Sequence, residues 1–272
     1  MPYYGFDMYY LILVLPCVLL AFWAQYKVNA TFGKYSQVYS RQHLTGAQAA
    51  QAVLRAGGAT GVRIERISGH LTDHFDPRDN VIRLSDGVYG STSVASIGVA
   101  AHEAGHAVQY ATGYAPMKLR AAIIPATNIG STLAMPLILI GLVFSFGTLI
   151  TVGIAFFSLS TVFQLVTLPV ELNASGRALE AIRSSRLLYD DEYPLAKKTL
   201  WAAAMTYVAA LAVSLAQLLR LILIFGGRGR RDDQKETGKC PGNRCVCTIC
   251  YGRRWGMVRW GIAPFPIPCG VG

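Results

Sequence analysis

Residues 121–170 read AAIIPATNIGSTLAMPLILIGLVFSFGTLITVGIAFFSLSTVFQLVTLPV, fifty positions without one Asp, Glu, Lys or Arg. A membrane-crossing helix needs ~20 apolar residues, so this run holds two spans and a tight turn. Ser145-Phe146-Gly147 is the expected turn. Working outward, residues 9–25 (YYLILVLPCVLLAFWAQ) form a second hydrophobic block and residues 200–219 a third. The whole chain of 272 residues is 53% hydrophobic and 15% charged, against about 25% charged in an ordinary soluble domain. The composition therefore excludes a soluble globular protein. It predicts a mainly α, polytopic membrane protein of about four transmembrane helices, with Pro16 and Pro136 as sites of possible kinks.

No Lys or Arg precedes the first block, and no small-x-small site follows it, so it reads as an uncleaved anchor. Cys17 lies in VLPC, where Pro16 replaces the small residue that a lipoprotein cleavage box requires. Lys27, Lys34 and Arg41 follow the block, which by the positive-inside rule sets the N-terminus outside and residue 26 onward in the cytoplasm. The net charge of +10 does not indicate nucleic acid, because nine of the 25 basic residues lie beyond residue 227 and the others are scattered among loops. A lipid bilayer with an anionic inner leaflet is the partner such a balance suits.

The chain divides into an N-terminal anchor (1–25), a polar part (26–120), membrane helices (121–228) and a basic tail containing cysteines (229–272). In the polar part, Thr45 with Gln48 forms a capping box and Gly57-Gly58 a stop, predicting a helix between them. VRIERI (62–67) and VIRLS (81–85) alternate apolar and polar residues and predict a short antiparallel strand pair, joined through the turn-forming HLTDHFDPRDN. STS at 91–93 is an N-cap cluster, and a helix is expected over residues 94–111.

That helix carries AAHEAGHAVQ (100–109). His102 and His106 are four apart and so share one helix face, where two imidazole nitrogens can bind one cation. Glu103 is turned to the substrate side, placed to take a proton from a metal-activated water and hand it to a leaving amine. Random placement of five His and six Glu gives His-Glu-x-x-His about 0.002 times in such a chain. A catalytic Zn²⁺ needs a third protein ligand. The candidates are Glu171, at the end of the uncharged run, and the group His70, Asp73 and His74. Two spans between His106 and Glu171 return the chain to the face it left, and a carboxylate at a span end needs a partner, which favours Glu171.

The pieces WAQYKV, GHLTDHFDPR, VIRLS, GVAAHEAGHA, GYAPMKLR and FQLVTLPVELNASGRA resemble the YugP-type putative neutral zinc metallopeptidases of bacterial membranes, over residues 9 to 231. More distantly the chain is similar to the HtpX-like membrane gluzincins, whose ligand Glu is followed by Ala-Asp at the third and fourth positions after it. Here Ala174 and Ser175 stand there. The resemblance implies a zincin-like α+β part and one catalytic zinc held by His102, His106 and Glu171. It also implies that Asn173 or Ser175 replaces the histidine-orienting Asp, and that residues 81–84 form an edge strand pairing with extended substrate. It implies a bacterial inner-membrane peptidase acting on membrane-bound or unfolded polypeptides. Tyr207 and Arg177 are candidate oxyanion donors. The rival reading is a non-catalytic zinc-binding scaffold or transporter component. Cys240, Cys245, Cys247, Cys250 and Cys269 lie outside the resemblance. They suit a small metal or disulfide cluster or an unstructured extension, and only Cys247/Cys250 has knuckle spacing.

Overall fold

The computed structural model describes residues 7–226; the cysteine tail lies outside the described residues. A π-helical turn, Tyr10–Val14, leads into α1 (Leu15–Tyr35), with Pro16 in the first turn of α1. Pro16, which has no N–H to continue the ladder, falls where the π turn gives way to the α-helix, and the altered hydrogen bonding of that junction accommodates it. α2 (Gly46–Ala56) carries the expected capping box, with Thr45 accepting from the Gln48 N–H and Gln48 from the Thr45 N–H. Gly57 ends it and Gly58 follows with φ +68°.

The sheet departs from the expectation. β1 (Arg63–Ile67), β2 (His74–Asp76) and β3 (Val81–Ser85) stand in the order β1-β3-β2. β1 and β3 are parallel, not antiparallel, and β2 pairs antiparallel with β3. The residues read as a connecting loop supply the third strand. Asp76 accepts from the Arg78 N–H and from Arg83, which fixes the β2–β3 turn. Consequently residues 81–84 are central, with ladder bonds on both sides, and β2 is the edge next to the motif helix. The burial of Val81, Ile82, Leu84 and Ser85 fits a central strand.

A short α3 (Asp86–Tyr89) precedes α4 (Val94–Ala111), which has the predicted bounds and takes its N-cap from Ser93 through the Ser96 N–H. Its small residues, Ala100, Ala101, Ala104 and Ala107, are buried and let α2, α6 and α7 approach closely. α5 (Ala115–Val143) and α6 (Gly147–Ser184) form a helical hairpin, reversed at Ser145, whose φ is +58°. At Gly153 a Cβ would lie 3.0 Å from the Ala134 carbonyl, so only glycine allows the two helices this spacing. α6 does not stop at Glu171. It runs thirteen residues further, because Ala174, Ala178, Ala181 and Ile182 give it a buried face there.

α7 (Tyr193–Phe225) lies against α1, and their opposite ends are joined by Arg220, whose Nε donates to Asp7 Oδ2 at 2.7 Å. Arg220, near the end of an apolar helix, is paired with Asp7 and lies over the Tyr10 ring. Among the described residues four helices, of 26, 29, 38 and 33 residues, are long and apolar enough to cross a membrane. They leave Phe22, Val143, Leu165 and Leu139 largely exposed, apolar surface that suits lipid rather than water.

Candidate metal centre

The centre assembles where α4 crosses α6. Helical periodicity puts His102 and His106 one turn apart, and their rings meet edge to face at 4.7 Å between centroids. Gly105 lets α6 come close: a Cβ there would lie 2.6 Å from the Ala174 carbonyl oxygen. That contact brings Glu171, three residues before Ala174, over the histidines. Glu171 Oε2 is 3.4 Å from Nε2 of His102 and 3.4 Å from Nε2 of His106. Among the described residues these three form a group of His, Cys, Asp and Glu whose ligand atoms all lie within 4.8 Å of one another.

The outward-facing atoms of all three side chains are already engaged. Ser175 Oγ lies 3.1 Å from His102 Nδ1, and Gln109 Oε1 lies 3.0 Å from His106 Nδ1. Gln109 donates its amide to the Val170 carbonyl at 2.8 Å and to Asn173 at 2.9 Å. A carbonyl can only accept, so Gln109 must present its oxygen to His106 and the imidazole proton sits on Nδ1. The Nε2 lone pair is left facing Glu171. Arg120 Nη1 donates to Glu171 Oε1 at 3.1 Å, whereas Oε2 is buried without a hydrogen-bond partner. Nε2 of His106 and Oε2 of Glu171 are then acceptor atoms that face each other, which is costly to bury. A divalent cation satisfies both and can take Nε2 of His102 as well, and one carboxylate with two imidazoles is a donor set for Zn²⁺. The electrostatics agree. Burial works against a charge on His106, yet Glu171 and Glu103 hold its pKa above the ordinary imidazole value.

Glu103 is nearly buried and opens, with His102, Asp73 and Tyr207, onto a cavity of about 250 Å³ between α4, α1 and α7. A second cavity, of about 370 Å³, lies beyond His106 and is lined by Phe75, Tyr110, Tyr114 and Arg120 among others.

The other sequence candidates separate cleanly. Ser175, not Asn173, touches His102; Asn173 acts on the His106 side through Gln109. Arg177 donates to Asn173 at 2.9 Å and lies over the Tyr114 ring, behind the ligands rather than on the Glu103 cavity. Tyr207 does reach that cavity. Asp73 accepts from the Ser85 N–H and hydroxyl, His74 bonds the Thr72 carbonyl, and His70 packs edge-on against Phe32. The His70/Asp73/His74 group thus holds a loop. Gln109 and Arg120 were missed by sequence reasoning. Gln109 falls on the His106 face three residues on, and Arg120 is the last charge before the uncharged run, the only signals either one gave.

Comparison with known proteins gives the family. The chain is 44% identical over 218 residues to "Putative membrane protease YugP" of Bacillus subtilis (strain 168), covering 80% of this chain and 97% of that protein. No solved structure matches. The family model described as "Putative neutral zinc metallopeptidase" matches residues 10–226, nearly all of the described structure, and the chain belongs to that family.

Proposed function

We propose that the protein is an integral membrane zinc endopeptidase that cleaves polypeptides at the membrane surface, with His102, His106 and Glu171 as metal ligands and Glu103 as general base. The observation that supports this best is the buried, unpartnered Glu171 Oε2 facing two imidazole nitrogens, with Glu103 on the adjoining cavity. Zinc bound there supplies Lewis acidity, which brings the pKa of water down to about 7. Glu103 accepts the proton of the attacking water as the C–O bond forms and the carbonyl π electrons move onto its oxygen, then returns that proton to the amine as the carbonyl re-forms and the peptide C–N bond breaks. Its place on the cavity wall beside His102 favours this role, because a general base must lie within hydrogen-bond reach of the water it deprotonates. Tyr207, across the same cavity, is placed to donate to the carbonyl oxygen as charge builds on it.

Extended substrate pairs with the free edge of β2, and its side chains alternate between the two cavities. Both are mostly apolar, which selects large apolar residues. Lys27 and Lys34, in the second half of α1, and Arg41 just beyond it favour the cytoplasmic side of a bacterial inner membrane for this site under the positive-inside rule. Membrane-bound or unfolded polypeptides are the substrates that such a position reaches.

Casein cleavage by the detergent-purified parent and by Glu103→Gln, with zinc measured in both, tests the reading. Equal zinc with cleavage only by the parent is expected, a loss of about 100-fold or more. Equal cleavage by both would remove Glu103 from the mechanism. Zinc in both without cleavage by either would favour a metal-tied scaffold.

A further inference from the structure

On the faces of α1 and α7 turned away from the Glu103 cavity lies a groove of about 680 Å³. Trp23, Tyr26, Lys27 and Lys34 of α1 and Lys198 and Trp201 of α7 line it, and no acidic residue does. Trp23, Tyr26 and Trp201 are more than half exposed. Among the described residues none of the three lysines has a carboxylate partner, whereas Arg41, just beyond α1, pairs with Asp191 and Glu192. Three unpaired cations around one concavity leave an unbalanced positive field.

The groove is graded along the membrane normal. From Lys27 toward Trp23 on α1, and from Lys198 through Trp201 to Met205 on α7, it passes from ammonium groups to apolar walls. Lys198 and Arg220 are 22 residues apart on one helix, about 33 Å at 1.5 Å per residue. This matches the ~30 Å hydrocarbon thickness of a bilayer. Arg220, bonded to Asp7, marks one boundary, and the lysines stand at the other, at headgroup depth.

We propose that this groove binds one anionic phospholipid, its phosphate held by Lys27, Lys34 and Lys198 and its upper acyl segments against Trp23, Trp201 and Met205. The charge, the grading and the depth are those of such a lipid; a zwitterionic lipid would set its choline among the lysines, and a free anion would leave the apolar walls bare. The inference rests on the membrane placement of α1 and α7 and is independent of hydrolysis. Because Val28, Phe32, Thr199 and Leu200 on the same two helices line the Glu103 cavity, the lipid would brace one wall of that cavity from behind.

Native mass spectrometry of the full-length, detergent-purified protein tests this, by titration with phosphatidylglycerol and with phosphatidylcholine of the same acyl chains. One phosphatidylglycerol per chain should be retained at roughly ten- to thirty-fold lower concentration than phosphatidylcholine. Lys27→Gln/Lys198→Gln should lose that preference and Lys27→Arg/Lys198→Arg should keep it. Lys197→Gln, a neighbouring charge outside the groove, should match the parent. Equal retention of the two lipids by the parent, or an unchanged preference in the double Gln variant, overturns the proposal. Displacement of the bound lipid by millimolar inorganic phosphate would assign the lysines to a free anion and also overturn it.

Discussion

Gly105→Ala should loosen the metal centre without touching a ligand. The added Cβ would meet the Ala174 carbonyl oxygen at 2.6 Å, and ordinary contact begins near 3.4 Å. The oxygen belongs to the α6 backbone, so no flexible side chain can yield, and the helices must part by about 0.8 Å. Glu171 is three residues away on the same helix and moves with it. Zinc–ligand distances tolerate about ±0.2 Å, so the carboxylate is carried out of reach of a cation held by both histidines. The expected result is at least ten-fold weaker zinc retention in competition with a chelator and a parallel loss of casein cleavage. Stability is the poorer readout, since overpacking costs about 1–3 kcal/mol while replacing a helical glycine by alanine returns about 1. Gly98→Ala is the control. It lies on the same helix, but its Cβ would meet the Ala196 side chain at 3.7 Å, an ordinary contact. It should keep zinc and melt no lower than the parent. Retention of zinc by Gly105→Ala at the parental chelator concentration would refute the claim that this helix contact sets the site.

Three further outcomes follow from the same coordinates. Ser175→Ala removes the partner of His102 Nδ1 and should weaken zinc binding roughly ten-fold, with Ser175→Asp restoring it, as measured by chelator competition. Stripping the metal leaves Glu171 Oε2 buried and unpartnered between α4 and α6, so the chelated protein should melt several degrees lower and recover on addition of Zn²⁺. In the sheet, the Arg78 N–H and then Arg83 hold the Asp76 carboxyl below its usual value of 3.8. A depressed folded-state pKa contributes stability above the unfolded value and loses it as pH falls through the folded one. Melting temperatures of the parent and Asp76→Asn should therefore differ above about pH 4 and converge on acidification; a difference that grows toward low pH would contradict the assigned pairing.

What could be read from the sequence was whatever depends on near neighbours. The bounds of α4, the Thr45/Gln48 capping box and the reversal at Ser145 are set by residues within a turn of each other, and each stands where expected. The pairing of His102 and His106 is local in the same sense. The direction of β1 against β3 is not, because it depends on where the intervening segment goes, and that segment forms β2 on the far side of β3. A hydrophobic run ends at its first carboxylate, whereas a helix ends where its buried face ends, so α6 outlasted the run. Gln109 and Arg120 meet their partners across 61 and 51 residues, and no pattern in one sequence marks such distances. Glu171 was legible because two spans make a return trip and a carboxylate at a span end needs a partner.

The unbroken course of α6 has a mechanical meaning. Glu171 stands 24 residues from the Gly147 end of one rod, about 36 Å along its axis. A rod that tilts by 5° about that end sweeps its far point through about 3 Å, many times the tolerance of a zinc bond. Only Pro169, two residues before Glu171, interrupts the rod's own hydrogen bonding, and α4, clasped at Gly105, must travel with what lies beyond it. Glu171 and the two histidines therefore move as one body, so bilayer thickness, which sets the tilt of such a span, sets where the centre stands and not how far apart its ligands lie.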